Sequence, residues 1–298
     1  MIINTAGLSA LRTAFKANFQ NGFGRAMPQW LKIATEVPSG TASNLYAFLG
    51  QWPALREWIG DRQIKNLKSH NYSIVNKLYE STIGVPITQI EDDQYGVFAP
   101  MFQEMGYATA MHPDSLVFAL LAAGASTLCY DGQEFFDASH PVIVSGVAST
   151  QSNYDATGGG ALWCLMDTKH PLKPLIFQLR QAPQFQAMNA VTDEGVFMSN
   201  EARYGVKSRA NVGFGLWQLA YGSLNTLNET NVDTYMAVGR ALKSDEGHPY
   251  NIIYDTLVVG PSNLAAAEAL VDRQFDTTNN ISNKYYKRFN VVVSPYLT

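Results

Sequence analysis

Apolar positions recur at helical and strand spacing along much of the chain and predict an ordered series of elements. The first twenty residues carry apolar side chains at helical spacing, which predicts an amphipathic helix that docks elsewhere on the protein and ends at Gly22 and Gly24. Residues 25–53 contain three prolines and show little periodicity. They are therefore predicted to be extended and to run over a surface.

The next stretch predicts a two-stranded ribbon. Residues 72–79 alternate like a strand, yet both sides mix apolar with polar side chains, so neither is a core face. Turn-forming residues precede them and indicate pairing with residues 62–68. A lone ribbon is marginal in water, so it needs a partner surface on its own chain or on a neighbouring copy. The candidate inter-subunit contacts are Arg62, Ile64, Lys65, Leu67, Lys68, Tyr72, Ile74, Lys77, Leu78, Tyr79 and Glu80.

A long helix is predicted after the ribbon. Asp92 or Asp93 can cap it, its apolar residues recur at helical intervals, and His112-Pro113 predicts a kink or a fresh start. The carboxylates of residues 91–93 are interpreted as belonging to this helix start and not to an acid–base pair.

The second half of the chain predicts loops, a sheet region and then alternating helices and strands. Residues 130–161 are rich in Gly, Ser, Asn and Asp and predict irregular loops. Short apolar strands follow. The final third predicts a helix capped by Thr230 or Asn231 that runs to Lys243, a strand, a second helix that starts at residues 261–263, and a closing strand.

Composition suits a chain that hides much of its surface against other subunits, but taken alone it favours a well-packed enzyme. The chain is 46% hydrophobic and 15% charged, with a net charge of −4. No basic cluster suits a dedicated nucleic-acid binder, and no segment has the pattern of a secretory signal or a membrane span. Cys129 and Cys164 lie in apolar surroundings, which is typical of reduced, buried thiols in an intracellular protein.

The search for chemistry assigns no catalytic, cofactor-binding or metal-binding residue. The usual nucleophile, phosphate-loop, dinucleotide and zinc-protease motifs are absent from the sequence. His140 and His170 each precede a proline and follow an aspartate, at Asp137 and Asp167, which is a weak metal-site pattern. Loop histidines that hydrogen-bond to the backbone are the favoured interpretation, and the three glycines at 158–160 are interpreted as a flexible loop.

Three strings then carry a resemblance: LREWIGDRQIKNL, YSIVNKLYESTIGVPITQIEDDQYG and CYDGQEFFDASHP. With the order of the predicted elements, they resemble the major head subunits of Mu-like tailed phages. The resemblance implies an α+β capsid fold of the Hong Kong 97 type. It implies an N-terminal helix and arm at 1–57, an extended β-hairpin loop at 58–91, a peripheral domain at 92–222 with a spine helix at 92–125 and strands at 161–222, and a mainly axial α/β domain at 223–298.

The same resemblance implies a structural, non-enzymatic subunit of the virion. It implies hexamers and pentamers in an icosahedral shell around double-stranded DNA that is contacted non-specifically. Assembly in the bacterial cytoplasm would involve a scaffolding protein and a portal, with no cofactor and no membrane. Two alternatives stay open from the residues: an intracellular α/β enzyme whose pocket includes the glycine loop and the Asp/His-Pro segments, and a tail structural protein that forms tubes or rings.

Overall fold

The structure, a computed structural model, describes residues 5–46, 72–92, 94–144, 147–190, 192–243, 249–276 and 281–298. Within these ranges no helix combines the length and the apolarity that crossing a lipid bilayer requires. The α-helices are α1 (Thr5–Arg25), α2 (Ile87–Glu91), α3 (Ala99–Ala122), α4 (Glu194–Ser199), α5 (Glu229–Ala241) and α6 (Leu264–Val271). Short 3-10 helices lie at Trp30–Lys32, Gln94–Phe98, Trp217–Leu219 and Pro261–Asn263. The strands are β1 (Ala34–Pro38), β2 (Ser43–Leu45), β3 (Ser73–Val75), β4 (Lys77–Pro86), β5 (His140–Val144), β6 (Val147–Gln151), β7 (Tyr154–Asp155), β8 (Trp163–Met166), β9 (Leu175–Met188), β10 (Glu201–Phe214), β11 (Ala220–Ser223), β12 (Thr256–Val259), β13 (Phe275–Asp276), β14 (Ile281–Ser282) and β15 (Asn290–Val293).

A four-stranded sheet of order β1-β9-β10-β4 forms one layer of the fold. The long strands β9 and β10 are antiparallel, and β4 pairs antiparallel with β10 along its ten residues. Helices α1 and α3 cover one face of this sheet. Phe15 of α1 stacks on Phe102 of α3 with 4.2 Å between ring centroids, and Tyr204 of β10 meets the Phe102 ring edge-on at 5.5 Å. These rings anchor a core that the two helices share with the sheet.

Glycines allow α1 and α3 to approach each other closely. A Cβ atom on Gly22 would lie 1.8 Å from the carbonyl oxygen of Gln103, and one on Gly106 would lie 2.0 Å from that of Phe19. The predicted amphipathic helix is confirmed, with its apolar side chains buried. Gly22 does not end the helix, because it is used for close helix packing, and the helix ends at Arg25, one residue after Gly24.

The predicted long helix is α3, but it begins later than the acidic residues. The backbone N–H of Asp92 donates back to the Thr88 carbonyl at 3.0 Å, so Asp92 terminates α2, and Asp93 lies outside the described residues. The residue before α3 is Phe98, which makes no side-chain capping bond. The predicted cap is therefore wrong, and Pro100 in the first turn marks the true start.

His112-Pro113 does not interrupt α3, which runs through both residues. The buried carboxylate of Asp114 instead reaches across to the extended N-terminal segment. It accepts hydrogen bonds from the backbone N–H of Gln29 at 2.9 and 3.0 Å and from that of Trp30 at 2.7 Å. The segment after α1, which the sequence predicted to run over a surface, is thus hydrogen-bonded to α3 through Gln29 and Trp30.

The ribbon of residues 62–68 and 72–79 needs correction. Residues 62–68 lie outside the described residues, while β3 pairs with β2 and β4 pairs with β10 of the same chain. The interpretation that 72–79 has no core face is also wrong, because Ile74 is only 3% exposed and belongs to the main core. Local alternation could not reveal this, since the partner strands are distant in sequence.

A second sheet, of order β15-β12-β8-β11-β7, forms the terminal α/β part together with α5 and α6. The predicted helices and strands of the final third are confirmed, although Asn228 caps α5 by accepting from the N–H of Asn231 at 2.9 Å, and α5 ends at Ala241. The sequence placed all strands of residues 161–222 in the peripheral part. β8 and β11 instead belong to this second sheet. The chain leaves the second sheet after β8, forms β9 and β10 of the first sheet, and returns at β11.

Residues 130–161 contain more order than the predicted loops. Within them β5 and β6 form an antiparallel hairpin, and β7 adds an edge strand to the second sheet. The abundance of small and polar residues concealed a short β-branched run at Val142–Val144. The described strands of the hairpin pair with each other over five residue pairs.

Candidate assembly surface

Tyr46 and Tyr72 lie next to each other at one end of the β2–β3 pair. The backbone N–H of Tyr46 donates to the Tyr72 carbonyl at 2.8 Å, directly beside the Leu45–Ser73 pair. Residues 47–71 between them lie outside the described residues. They include five of the predicted inter-subunit contacts, namely Arg62, Ile64, Lys65, Leu67 and Lys68.

Two further predicted contacts, Tyr72 and Ile74, are tied into their own chain. The Tyr72 hydroxyl accepts a hydrogen bond from the backbone N–H of Phe214 at 2.7 Å, and burial raises the pKa of Tyr72 to about 12. The Ile74 side chain lies so close to Gly213 that a Cβ atom there would be 2.3 Å from its Cδ1 atom. Both side chains therefore fix the base of the segment and are covered by the chain itself.

The remaining predicted contacts lie on β4 and divide between its two faces. Tyr79 faces α3, where its ring meets that of His112 with 4.4 Å between centroids, and Lys77 lies exposed on the same side of the strand. Leu78, which is 60% exposed, and Glu80 lie on the opposite face. The structure thus leaves Leu78 and Glu80 on the face of the sheet that α1 and α3 do not cover.

That open face carries a row of cations along β10. Arg203, Lys207 and Arg209 point to it, and β4 places Glu80 opposite Lys207 and Leu78 opposite Arg209. The alternate residues of β10 point to the other face, where Tyr204 packs against the rings of α1 and α3. Sequence alternation in β10 predicts such a two-faced strand, but the sequence alone did not show which neighbours would align with the cations.

Exposed apolar side chains gather where α4 connects the end of β9 to the start of β10. Phe197 and Met198 of α4 are 84% and 75% exposed, and Met188 at the end of β9 is 47% exposed. Asn200 ends α4 in the left-handed conformation, with φ of 53°. A cluster of this kind on an otherwise polar tip is typical of a protein–protein contact. Sequence reasoning missed it because these residues were assigned to strands.

His140 forms a buried polar network that could be mistaken for a metal site. Its Nδ1 lies 2.7 Å from a carboxylate oxygen of Asp131, and its Nε2 lies 3.1 Å from the side-chain oxygen of Asn153. The thiol of Cys129 donates to the other Asp131 oxygen at 3.0 Å. The Cys129 sulfur, an Asp131 carboxylate oxygen and a His140 ring nitrogen are potential metal ligands and lie within 4.8 Å of one another. They are hydrogen-bonded directly, and burial raises the thiol pKa of Cys129 far above its usual value, so the arrangement favours protons over a metal ion.

The hydrogen bonds of Asn153 orient its side-chain oxygen toward His140. The Asn153 amide nitrogen donates to the carbonyls of Phe135 and Trp217 at 2.8 and 3.3 Å, so its oxygen must accept from Nε2–H. The Nδ1 atom on the other side of the ring lies 2.7 Å from Asp131. Burial alone would raise the pKa of Asp131, but hydrogen bonds led by that from His140 hold it below its ordinary value. His140 therefore bridges Asp131 and Asn153 inside the core.

The expectation that the two loop histidines bond to backbone is wrong for His140, whose partners are side chains. Its aspartate partner is Asp131 and not the predicted Asp137, whose carboxylate binds the N–H of Ser139 at 2.7 Å. His170 lies elsewhere, with Nε2 3.6 Å from Asp167 and its side chain 33% exposed. The two His-Pro segments therefore do not form one pocket.

Comparison with solved structures identifies the class of this fold. The subunit of the bacteriophage JBD30 procapsid is similar to this chain with a TM-score of 0.87 and 47% identity, covering 99% of this chain and all of the other. The subunit of the JBD30 capsid gives 0.79 and 34% identity over the full length of both chains. The protein is a phage capsid subunit with the α+β Hong Kong 97 fold, as the sequence resemblance implied.

Sequence comparison then gives the family. The chain belongs to the family of the Mu-like prophage major head subunit gpT, whose model matches residues 8–297. It is 38% identical to the major capsid protein of Escherichia phage Mu over 305 aligned positions that cover both chains. It is 40% identical to the Mu-like prophage FluMu major head subunit of Haemophilus influenzae, over 97% of each chain.

Membership settles the broad role. The protein is a major head protein that forms part of the multimeric shell of the virion. The family is one of structural subunits, so the comparisons favour neither the α/β enzyme nor the tail protein that the residues alone had left open.

Proposed function

We propose that copies of this chain assemble as hexamers and pentamers into an icosahedral head around double-stranded DNA, and that residues 47–71 carry the principal contact to a neighbouring copy. The observation that supports this most strongly is the adjacency of Tyr46 and Tyr72, which makes the whole intervening segment an insertion at one edge of the fold. Because Tyr46 and Tyr72 are already hydrogen-bonded, β2 and β3 can pair without the insertion between them.

The length of the insertion suits a contact with another copy. Its 25 residues, if they leave and return as two extended arms, reach about 40 Å at the usual rise per residue. That span is comparable with the width of a domain of this size, so the segment can cross to a neighbour. Arg62, Lys65 and Lys68 then meet the neighbour's surface, while Tyr72 and Ile74 hold the base on the parent subunit.

Leu78 and Glu80 complete the proposed contact from the described side. They lie on the open face of the first sheet, beside Arg209 and Lys207. This mixed surface of one apolar side chain and several charges suits a non-obligate contact that forms and dissociates during shell growth. Many such contacts for each subunit then stabilise the closed shell.

The domain division that we propose follows the predicted limits with one change. The arm comprises residues 1–57, the extended loop 58–91 and the peripheral domain 92–222, and the mainly axial domain 223–298 gains β8 and β11 because they pair within its sheet. We propose that the base of the loop, at 72–86, stays on its own subunit through β3 and β4.

The proposed partners beyond the chain itself are a scaffolding protein, a portal and the packaged DNA, with assembly in the bacterial cytoplasm. The net charge of −4 supports non-specific contact with DNA, since a strongly basic wall would bind the phosphates tightly. The cations of β10 share their face with carboxylates, which weakens their attraction for nucleic acid.

Replacement of residues 47–71 by an Asn-Gly turn tests the proposal. Tyr46 and Tyr72 stay paired and the new turn suits the antiparallel β2–β3 pair, so the variant subunit is expected to keep its circular dichroism spectrum and its thermal transition. Electron microscopy of variant and wild-type preparations made in parallel is expected to show heads only for the wild type. Heads of normal yield and size from the variant would refute the assigned role of the segment.

A further inference from the structure

The β5–β6 hairpin carries a surface that the family assignment does not explain. All described residues of β6 except the last are exposed, and β5 alternates between exposed and half-buried side chains after its buried first residue. Val147 is 67% exposed and Ile143 is 37% exposed. On one face Pro141 and Ile143 stand opposite Thr150 and Ala148, all of them exposed.

The hairpin also lacks the features that usually protect an exposed strand. Residues 141–151 contain no Asp, Glu, Lys, Arg or His, in a chain that is 15% charged. Exposed edge strands normally carry charges that prevent pairing with other strands. In the described part of the chain, β5 and β6 pair only with each other, so each keeps one free edge. The surface is therefore suited to pairing and apolar contact.

The base of the hairpin is held rigidly. His140 at the start of β5 is fully buried, its ring stacks on that of Trp217 with 3.9 Å between centroids, and its Nδ1 lies 2.7 Å from a carboxylate oxygen of Asp131. Asn153, just after β6, binds the same histidine and two backbone carbonyls. A strand pair fixed in this way loses little conformational entropy when a partner binds it.

We propose that the outer part of the β5–β6 hairpin contacts a second copy of this chain in the assembled head. The chemistry of the surface disfavours DNA as the partner, because cations supply most of the attraction to phosphates and residues 141–151 contain none. An uncharged, β-branched surface with free strand edges matches another protein surface, and the proposed shell places further copies of this chain beside each subunit. The inference rests on the proposed shell and adds a contact distinct from that of residues 47–71.

Photo-cross-linking from position 147 tests the contact. Val147→p-benzoylphenylalanine is mixed with excess wild-type chain so that heads form, and the heads and the unassembled subunit are irradiated in parallel. Cross-linked peptides are identified by mass spectrometry. We expect a product of two copies of this chain in heads and none in dilute subunits. A product with any other protein, or no product in heads, overturns the inference.

A pair of substitutions at the same position tests its energetic role. Val147→Lys adds a charge that a neutral contact must desolvate, and we expect at least a tenfold fall in the yield of heads. Val147→Thr keeps the shape and the β-propensity and is expected to assemble like the wild type. Equal yields for both variants, with unchanged thermal transitions of the subunits, contradict the contact. Loss of wild-type heads would instead count against the proposed shell itself.

Discussion

At the scale of single residues, the chemistry of this protein is structural and centres on side chains that no local pattern connects. The sequence singled out His140 but paired it with Asp137. The actual partner, Asp131, lies nine positions before it, and Asn153 completes the network from beyond the β5–β6 hairpin. Spacing in a loop cannot predict such partners, because the path of the loop between them decides which side chains meet.

Removal of the His140 side chain should cost much of the subunit's stability. In His140→Ala the Asp131 carboxylate stays buried without its partner, which costs about 3–5 kcal/mol in the free energy of unfolding. Urea denaturation of the unassembled subunit measures this cost. The matched variant His170→Ala affects a partly exposed side chain 3.6 Å from Asp167 and should cost no more than about 1 kcal/mol. Equal effects of the two substitutions would contradict the assigned role of the buried His140–Asp131 hydrogen bond.

His112 should make stability depend on pH. Burial lowers the pKa of His112, its Nε2 has no hydrogen-bond partner among the described residues, and its ring packs against Tyr79. The unfolded chain, with a histidine pKa of about 6.5, therefore binds the proton first. The free energy of unfolding should fall as the pH drops from about 6.5 to the lowered folded-state pKa. Urea midpoints at a series of pH values should show a smaller fall for His112→Gln, and an identical fall would count against this interpretation.

At the scale of elements, periodicity predicted the helices better than the strands. The predicted helices at the N-terminus, after the ribbon and in the final third all exist, because each displays its apolar side chains at helical spacing within one segment. The strands failed where their partners were distant. β4 pairs with β10 more than a hundred residues later, so neither its partner nor its buried face could be predicted from its own residues.

Two glycines in α1 test the close packing of the helices. Gly22→Ala places a Cβ atom against the Gln103 carbonyl and should destabilise the subunit by about 1–3 kcal/mol. Gly24→Ala is the control, because among the described residues nothing beyond its own stretch of helix lies within 4 Å of the new Cβ, and it should be neutral or stabilising by up to about 1 kcal/mol. Thermal unfolding of the two variants separates helix propensity from packing. The prediction fails if both substitutions change stability alike.

Asp114 should hold the N-terminal arm against α3. Asp114→Ala removes an acceptor that binds the N–H groups of Gln29 and Trp30, and hydrogen bonds to a charged group are worth about 1.5–3 kcal/mol. We expect the amides of these two residues to exchange with deuterium at least tenfold faster. Asp272→Ala, at the exposed end of α6, serves as the control and should leave their exchange unchanged. Unchanged exchange in Asp114→Ala would show that the arm is held by other contacts.

At the scale of the whole molecule, the order of elements was more informative than any motif. It implied the capsid fold, which the comparisons confirm over nearly the full chain. The candidate assembly surface was only partly predictable. Tyr72 and Ile74 looked free because their half of the ribbon was considered alone, whereas the completed fold covers them. The exposed tip formed by Met188, Phe197 and Met198 depends on a turn between two long strands that the sequence did not reveal.

We propose that residues 47–71 cross to another copy while β4 remains paired with β10 of its own subunit. A cryo-electron microscopy reconstruction of assembled heads, at a resolution that shows side chains, measures this directly. We predict side chains of residues 62–68 within about 4 Å of a neighbouring copy, with β4 still paired to β10 of its own subunit. A reconstruction in which residues 62–68 contact only their own subunit would contradict the claim.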